Sequence, residues 1–270
     1  MTNWLRIIYS TGKTFLNRDV YSRDVPALTY STLMALIPCL ALMYVVARSF
    51  GCDDALEEWI RSTLESQPTV SEYLVDFVHN YLANTQSKYI LWVGLVMMLF
   101  NLYSLLQKIE NTFNGIWMVK RRRYTRTFID YLVIFLFCGL MILIASGLNF
   151  MATAITHYFS SFTGKEALDT ILLRAASTIP LFAFFVFLYG FMPNERVKIR
   201  FTLIPALMAS LCMTMLQYFY ISVQFWLSSY NAIYGSLAAL PLFLLWLYYS
   251  WTICLFFAVL CYARQTNKSI

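Results

Sequence analysis

From Phe201 to Ala263 the chain carries no charged side chain, and apolar and aromatic residues fill nearly every position. About 20 apolar residues suffice to cross the hydrocarbon core of a bilayer as a helix. Six long apolar runs meet that standard, roughly 26–48, 89–109, 128–151, 171–192, 202–223 and 237–262. The runs are continuously apolar, not alternating, which selects helices over a closed barrel, the two structures that lipid permits. The expected fold is an all-α polytopic membrane protein of six transmembrane helices, a single integral membrane domain over 1–270.

The remaining segments carry weaker periodicities. Within 1–20, Trp4, Ile8, Thr11 and Phe15 share one helical face and Arg6, Lys13 and Arg18 bring positive charge. That pattern suits a short interfacial helix, with a helix packed under the bundle as the alternative. The extracytoplasmic segment 52–88 reads as an amphipathic helical hairpin, with Pro68 between an apolar stripe from Leu56 to Leu64 and another from Val70 to Leu82. Thr69-Val70-Ser71-Glu72 has the form of a capping box at the start of its second helix.

Composition agrees with the pattern. The chain is 60% hydrophobic and 13% charged, about half the charge of a soluble domain. The net charge of +6 is explained by its placement. With the N-terminus cytoplasmic and sides alternating, fifteen of the 20 basic residues fall in cytoplasmic segments. Cytoplasmic enrichment of Lys and Arg sets membrane orientation, so both termini of a multi-pass membrane protein are expected in the cytoplasm. The six cysteines include no zinc-type pair, and only Cys52 lies outside the spans, so neither a metal site nor a disulfide is expected.

Two stretches break the apolar monotony. Extended to Asn114, the second run places Tyr103, Gln107, Glu110 and Asn114 at steps of four, three and four, a narrow arc of one helix face. Asn101, Ser104, Lys108 and Asn111 form a neighbouring arc. Polar groups within membrane helices face the bundle interior or a watery cavity; the alternative is a helix that leaves the membrane near Gln107 with its charges solvated. Tyr230–Trp251 is the second stretch. Gly235 and Pro241 predict a break at its entrance, and Tyr248 or Tyr249, near mid-membrane, is expected to face inward. Together with Tyr30 of the first run, these residues outline a candidate lipid or substrate cavity: Tyr30, Asn101, Tyr103, Gln107, Glu110, Asn114, Tyr248 and Tyr249. Lys120, Arg121, Arg122 and Arg123 form a cytoplasmic rim suited to anionic head groups.

Catalytic chemistry is poorly supplied. There are two histidines, no serine nucleophile elbow and no phosphate-binding glycine loop. The protein is expected not to be an enzyme and to need no cofactor or nucleic acid. Four motifs carry a family resemblance: ALTYSTLMALIPCLAL in the first run, IENTFNGIW at 109–117, FMPNERVKIR at 191–200, and YGSLAALPLFLLWLYYSW. Together they resemble the YihY/BrkB family, the UPF0761 inner-membrane proteins once mislabelled ribonuclease BN. The resemblance implies six helices with cytoplasmic termini. It marks Tyr30, Pro38, Glu110, Asn114, Trp117, Pro193, Asn194, Tyr230, Tyr234, Gly235, Pro241 and Trp246 as family-pattern residues. It also associates the family with serum resistance and with export of lipid A precursors. The expected function is handling or translocation of a lipid or lipid-linked envelope precursor, with anionic membrane lipids as partners and a homo-oligomer possible. The alternatives are a non-transporting envelope-integrity scaffold and, least favoured, a ribonuclease.

Overall fold

A computed structural model describes residues 11–16, 20–36, 51, 58, 72, 76, 88–120, 137, 140, 141, 144, 148, 166–228 and 232–266. Among these residues the structure is all helix and connecting turn. A π-helical turn, Val20–Asp24, leads into α1 over 25–36. Then come α2, Lys88–Trp117, α3, Glu166–Phe191, α4, Ile199–Ser228, and α5, Ala232–Thr266. The last four cover the second, fourth, fifth and sixth apolar runs. The third run and the 52–88 hairpin lie almost wholly outside the described residues.

Two helical stretches, Ile199–Gln224 and Pro241–Thr266, are each 26 residues long and apolar enough to cross a membrane. At 1.5 Å per residue each reaches about 39 Å, more than the roughly 30 Å hydrocarbon core. Only 28% and 33% of their most apolar windows are buried within the protein. A soluble protein would hide such helices in its core; here Leu203, Leu207, Leu211, Met215, Phe219 and Trp226 stand exposed along α4. Exposed apolar surface on that scale marks a membrane or protein contact.

The interruption expected at Gly235–Pro241 is absent. α5 runs unbroken from Ala232 to Thr266 with Pro241 inside it, as Pro180 lies inside α3 and Pro205 inside α4. A proline withdraws one N–H and crowds the carbonyl four residues earlier, while the turns on either side keep their own bonds. In α4 the deficit has a visible remedy. Pro205 leaves the Phe201 carbonyl without its helical donor, and the buried Cys261 thiol of α5 donates to that oxygen at 3.7 Å. Neighbouring groups that re-satisfy a freed carbonyl are what let prolines persist in membrane helices.

The chain divides into two compact units: Met1–Val20, Glu110–Thr214 and Ile253–Ile270 make one, Tyr21–Ile109 and Met215–Thr252 the other. In the first unit, small residues form buried rows, Thr202, Ala206, Ala209 and Ser210 on α4, and Cys254, Ala258 and Cys261 on α5. Rows of this kind allow helix backbones to approach closely. Aromatic rings fill the rest of its core: Phe113 lies 6.4 Å from Tyr189, which lies 5.6 Å from Phe185, and Trp117 meets Tyr262 edge-on at 6.0 Å. Thr11 and Phe15 are buried here too, with Phe15 edge-on to Phe256 of α5 at 5.6 Å. This part of the 1–20 segment is packed against the protein.

In the second unit, α1 is held by a repeated polar device. Ser31 Oγ donates to the Ala27 carbonyl at 2.7 Å and accepts from Lys108 Nζ of α2 at 2.7 Å. Thr32 Oγ1 donates to the Leu28 carbonyl at 2.8 Å and accepts from Trp251 Nε1 of α5 at 3.0 Å. Each hydroxyl donates its proton within its own helix and accepts from a donor on another, which ties α1 to α2 and to α5.

Candidate functional site

The candidate site grows from the way α2 ends. Met118 adopts a positive φ of 55°, its N–H donates to the Gly115 carbonyl at 3.3 Å, and the Val119 N–H donates to the Asn114 carbonyl at 3.0 Å. This pair of bonds is a Schellman motif with Met118 in the position usually taken by glycine. It stops the helix one turn after Asn114 and turns the chain toward Lys120.

Glu110 and Asn114, one turn apart on the last stretch of α2, are 2% and 3% exposed. The sequence left open whether this end of the polar arc is solvated, and in the structure it is buried. The Asn114 amide is used on both sides. Its Nδ2 donates to Glu110 Oε1 at 3.4 Å, a long contact, while its Oδ1 accepts from the Asn194 backbone N–H at 2.8 Å. Asn194 Nδ2 then donates to the Lys120 carbonyl at 2.8 Å. Two asparagines 80 residues apart thus clamp the Met192-Pro193-Asn194 turn after α3 to the end of α2. Pro193 is fully buried beneath the clamp, and Tyr189, also fully buried, donates its hydroxyl to the Cys254 carbonyl of α5 at 3.0 Å. Trp117 Nε1 is buried without a hydrogen-bond partner.

The predicted site residues divide between the two units. Glu110, Asn114, Trp117, Pro193, Asn194 and Lys120 belong to the first unit and meet around the clamp. Tyr30, Asn101, Tyr103, Gln107, Trp246, Tyr248 and Tyr249 belong to the second. There Tyr30 and Asn101 are exposed, and Tyr103 and Gln107 are half-buried. Tyr248 is half-buried against Tyr21, edge-on at 6.0 Å, whereas Tyr249 is 45% exposed. Of the two tyrosines, Tyr248 is the more buried. Trp246 stacks near Phe243 at 5.8 Å and lies 5.6 Å from Tyr220. Tyr234 and Gly235 fall within α5, and Pro241 is exposed on it. Pro38, Tyr230 and Arg121, Arg122 and Arg123 lie outside the described residues.

Sequence reasoning missed the roles of Tyr189, Met118 and Cys261. The signal for Cys261 was present, since a helix-interior proline always leaves one carbonyl seeking a donor. Among the described residues no three His, Cys, Asp or Glu side chains converge as metal ligands would. A buried carboxylate beside an amide can hold a helix end in register or meet a polar group within the membrane.

Comparison with known proteins gives the family. The UPF0761 membrane protein of Chromohalobacter salexigens is 28% identical over 264 residues, 93% of this chain and 62% of its own length. That of Pseudomonas aeruginosa is 31% identical over 253 residues, covering 90% of this chain and 59% of the relative. That of Neisseria meningitidis is 28% identical over 240 residues, 87% of this chain and 57% of the relative. The chain thus spans about six-tenths of the length of the curated relatives it matches. No solved structure matches it. A sequence model described as Virulence factor BrkB matches residues 15–269, and on that extent the chain belongs to the BrkB family, the UPF0761 membrane proteins.

Proposed function

We propose that this protein handles or translocates a lipid or lipid-linked envelope precursor in the bacterial inner membrane, without enzymatic chemistry, cofactor or nucleic acid. The observation that carries the reading is Glu110, a carboxylate 2% exposed, with the Asn114 amide 3.4 Å away, in a membrane protein. Ionisable groups in such surroundings are costly to keep and mark substrate or proton pathways. Supporting it, the Lys and Arg distribution favours six spans with both termini cytoplasmic, and anionic lipids suit the basic cytoplasmic segments. Subunit association is compatible with the exposed apolar face of α4.

The test is reconstitution of the purified chain in liposomes carrying labelled lipids of several head-group classes, with a dithionite assay for movement between leaflets. Translocation of one class above protein-free liposomes, reduced at least tenfold by Glu110→Gln at equal protein content, is the expected result. No movement of any class would sink it. One observation favours a second reading, an envelope-integrity scaffold: the Asn114 amide oxygen is engaged in joining the end of α2 to the turn after α3. In that case Glu110→Gln would lower protein abundance and leave no transport to lose.

A further inference from the structure

The segment that follows the asparagine clamp concentrates positive charge in a defined geometry. Arg196, Lys198 and Arg200 alternate along 196–200, all exposed, and Lys120, also exposed, is tied to the same turn through the 2.8 Å bond from Asn194 Nδ2 to its carbonyl. Glu195 is the single acid beside them, so the five side chains carry a net charge of +3 (four cations less one anion). None of the four cations has an acidic partner among the described residues. The segment is held on both sides: Gln265 Nε2 of α5 donates to the Arg196 carbonyl at 3.2 Å, and the Phe201 N–H donates to the Lys198 carbonyl at 2.9 Å.

Orientation signalling in the membrane requires cations on the cytoplasmic side but no fixed geometry for them. Here Arg200 lies in the first turn of α4, which contains no acid, and Lys198 immediately precedes it. The helix dipole already makes this end positive, so cations there repel it, and an anion would be attracted by both. The face of α4 leading away from Arg200 is apolar. Ile204, Leu207 and Leu211 follow Arg200 at steps of four, three and four, within about 60° of arc, and all three are exposed. From Arg200 to Leu211 the helix rises about 16 Å, close to half of the roughly 30 Å hydrocarbon core.

We infer that this end of α4 is a binding site for a single anionic phospholipid. Lys120, Arg196, Lys198 and Arg200 hold its phosphate, and one acyl chain lies along Ile204, Leu207 and Leu211. The site needs only that the protein be embedded in a membrane, and it stands whether or not lipid is translocated. Charge selects the head group and the apolar row selects a lipid over a soluble anion.

Native mass spectrometry of the full chain in detergent, titrated with phosphatidylglycerol or phosphatidylcholine, reads the site directly. The wild type is expected to retain one phosphatidylglycerol in clear preference to phosphatidylcholine. Lys198→Gln and Arg200→Gln, each leaving the other cations to set orientation, should each weaken retention about fivefold, the effect of one basic residue at an anionic lipid surface. Arg200→Lys should keep most of it. Leu207→Ala with Leu211→Ala, which leaves every charge in place, should also weaken it severalfold. Equal retention of the two lipids, or Lys198→Gln and Arg200→Gln variants that bind phosphatidylglycerol as wild type does, would overturn the assignment. So would displacement of the lipid by millimolar inorganic phosphate, which would mark a bare anion site.

Discussion

The asparagine clamp makes the most demanding prediction. Replacing Asn114 by alanine removes the acceptor of a 2.8 Å bond from the Asn194 N–H and leaves that donor in a half-buried turn. A lost bond of this kind, with its donor stranded, costs about 1.5–2.5 kcal/mol. The 3.4 Å contact to Glu110 lies near the limit of a hydrogen bond and adds about 0.5 kcal/mol at most. Asn114→Ala should therefore destabilise the protein by about 1.5–3 kcal/mol. Asn114→Asp separates the two halves of the clamp. It keeps an oxygen for the Asn194 N–H but places a second carboxylate against the buried Glu110. Two carboxylates sharing a buried site hold one proton between them. The introduced group then binds a proton more tightly in the folded protein than in the unfolded one. Stability of this variant should accordingly fall as pH rises above the ordinary aspartate pKa of about 3.9. Reversible denaturation in mixed micelles, measured at pH 5 and pH 8, reads both effects. An Asn114→Ala variant within about 0.5 kcal/mol of wild type, or an Asn114→Asp variant as stable at pH 8 as at pH 5, would refute the reasoning.

Two further substitutions test the helix ends. Met118 holds a φ of 55° in the glycine position of a Schellman motif, so Met118→Gly should stabilise the protein by about 0.5–1 kcal/mol. The same denaturation assay checks it, with the β-branched Met118→Val expected to change stability in the opposite sense. The Cys261 thiol donates to the carbonyl that Pro205 leaves open; Cys261→Ala should cost about 1 kcal/mol in the wild type and close to nothing in a Pro205→Ala background. A double-mutant cycle with no coupling would show that the thiol is not completing that helix.

How far the site was legible depends on the kind of residue. Glu110 and Asn114 were found because steps of four and three on one helix put both on a single face, and burial followed. Asn194 was visible within FMPNERVKIR, but nothing in its local sequence says that its backbone N–H meets Asn114 across 80 residues. Lys108 read as part of a second polar arc, and the structure shows it bonded to Ser31 of α1. The break expected at Pro241 failed because proline removes one bond from a helix that retains many others. Gly235 likewise lies within the continuous helix.

The sequence alone determined the class of solvent and the type of secondary structure. Charge-free runs longer than a bilayer crossing cannot pay the cost of water, and in lipid the backbone must bond to itself, which leaves helices. It also determined the faces of those helices, because a period of 3.6 residues is written in the order of the side chains. Only the tertiary structure decided which faces meet. A polar arc on α2 has the same periodicity whether it lines a cavity, meets water or clamps a neighbouring turn. That choice depends on contacts such as Asn114 with Asn194 and Trp251 with Thr32, between residues that are far apart along the chain and each unremarkable where it stands.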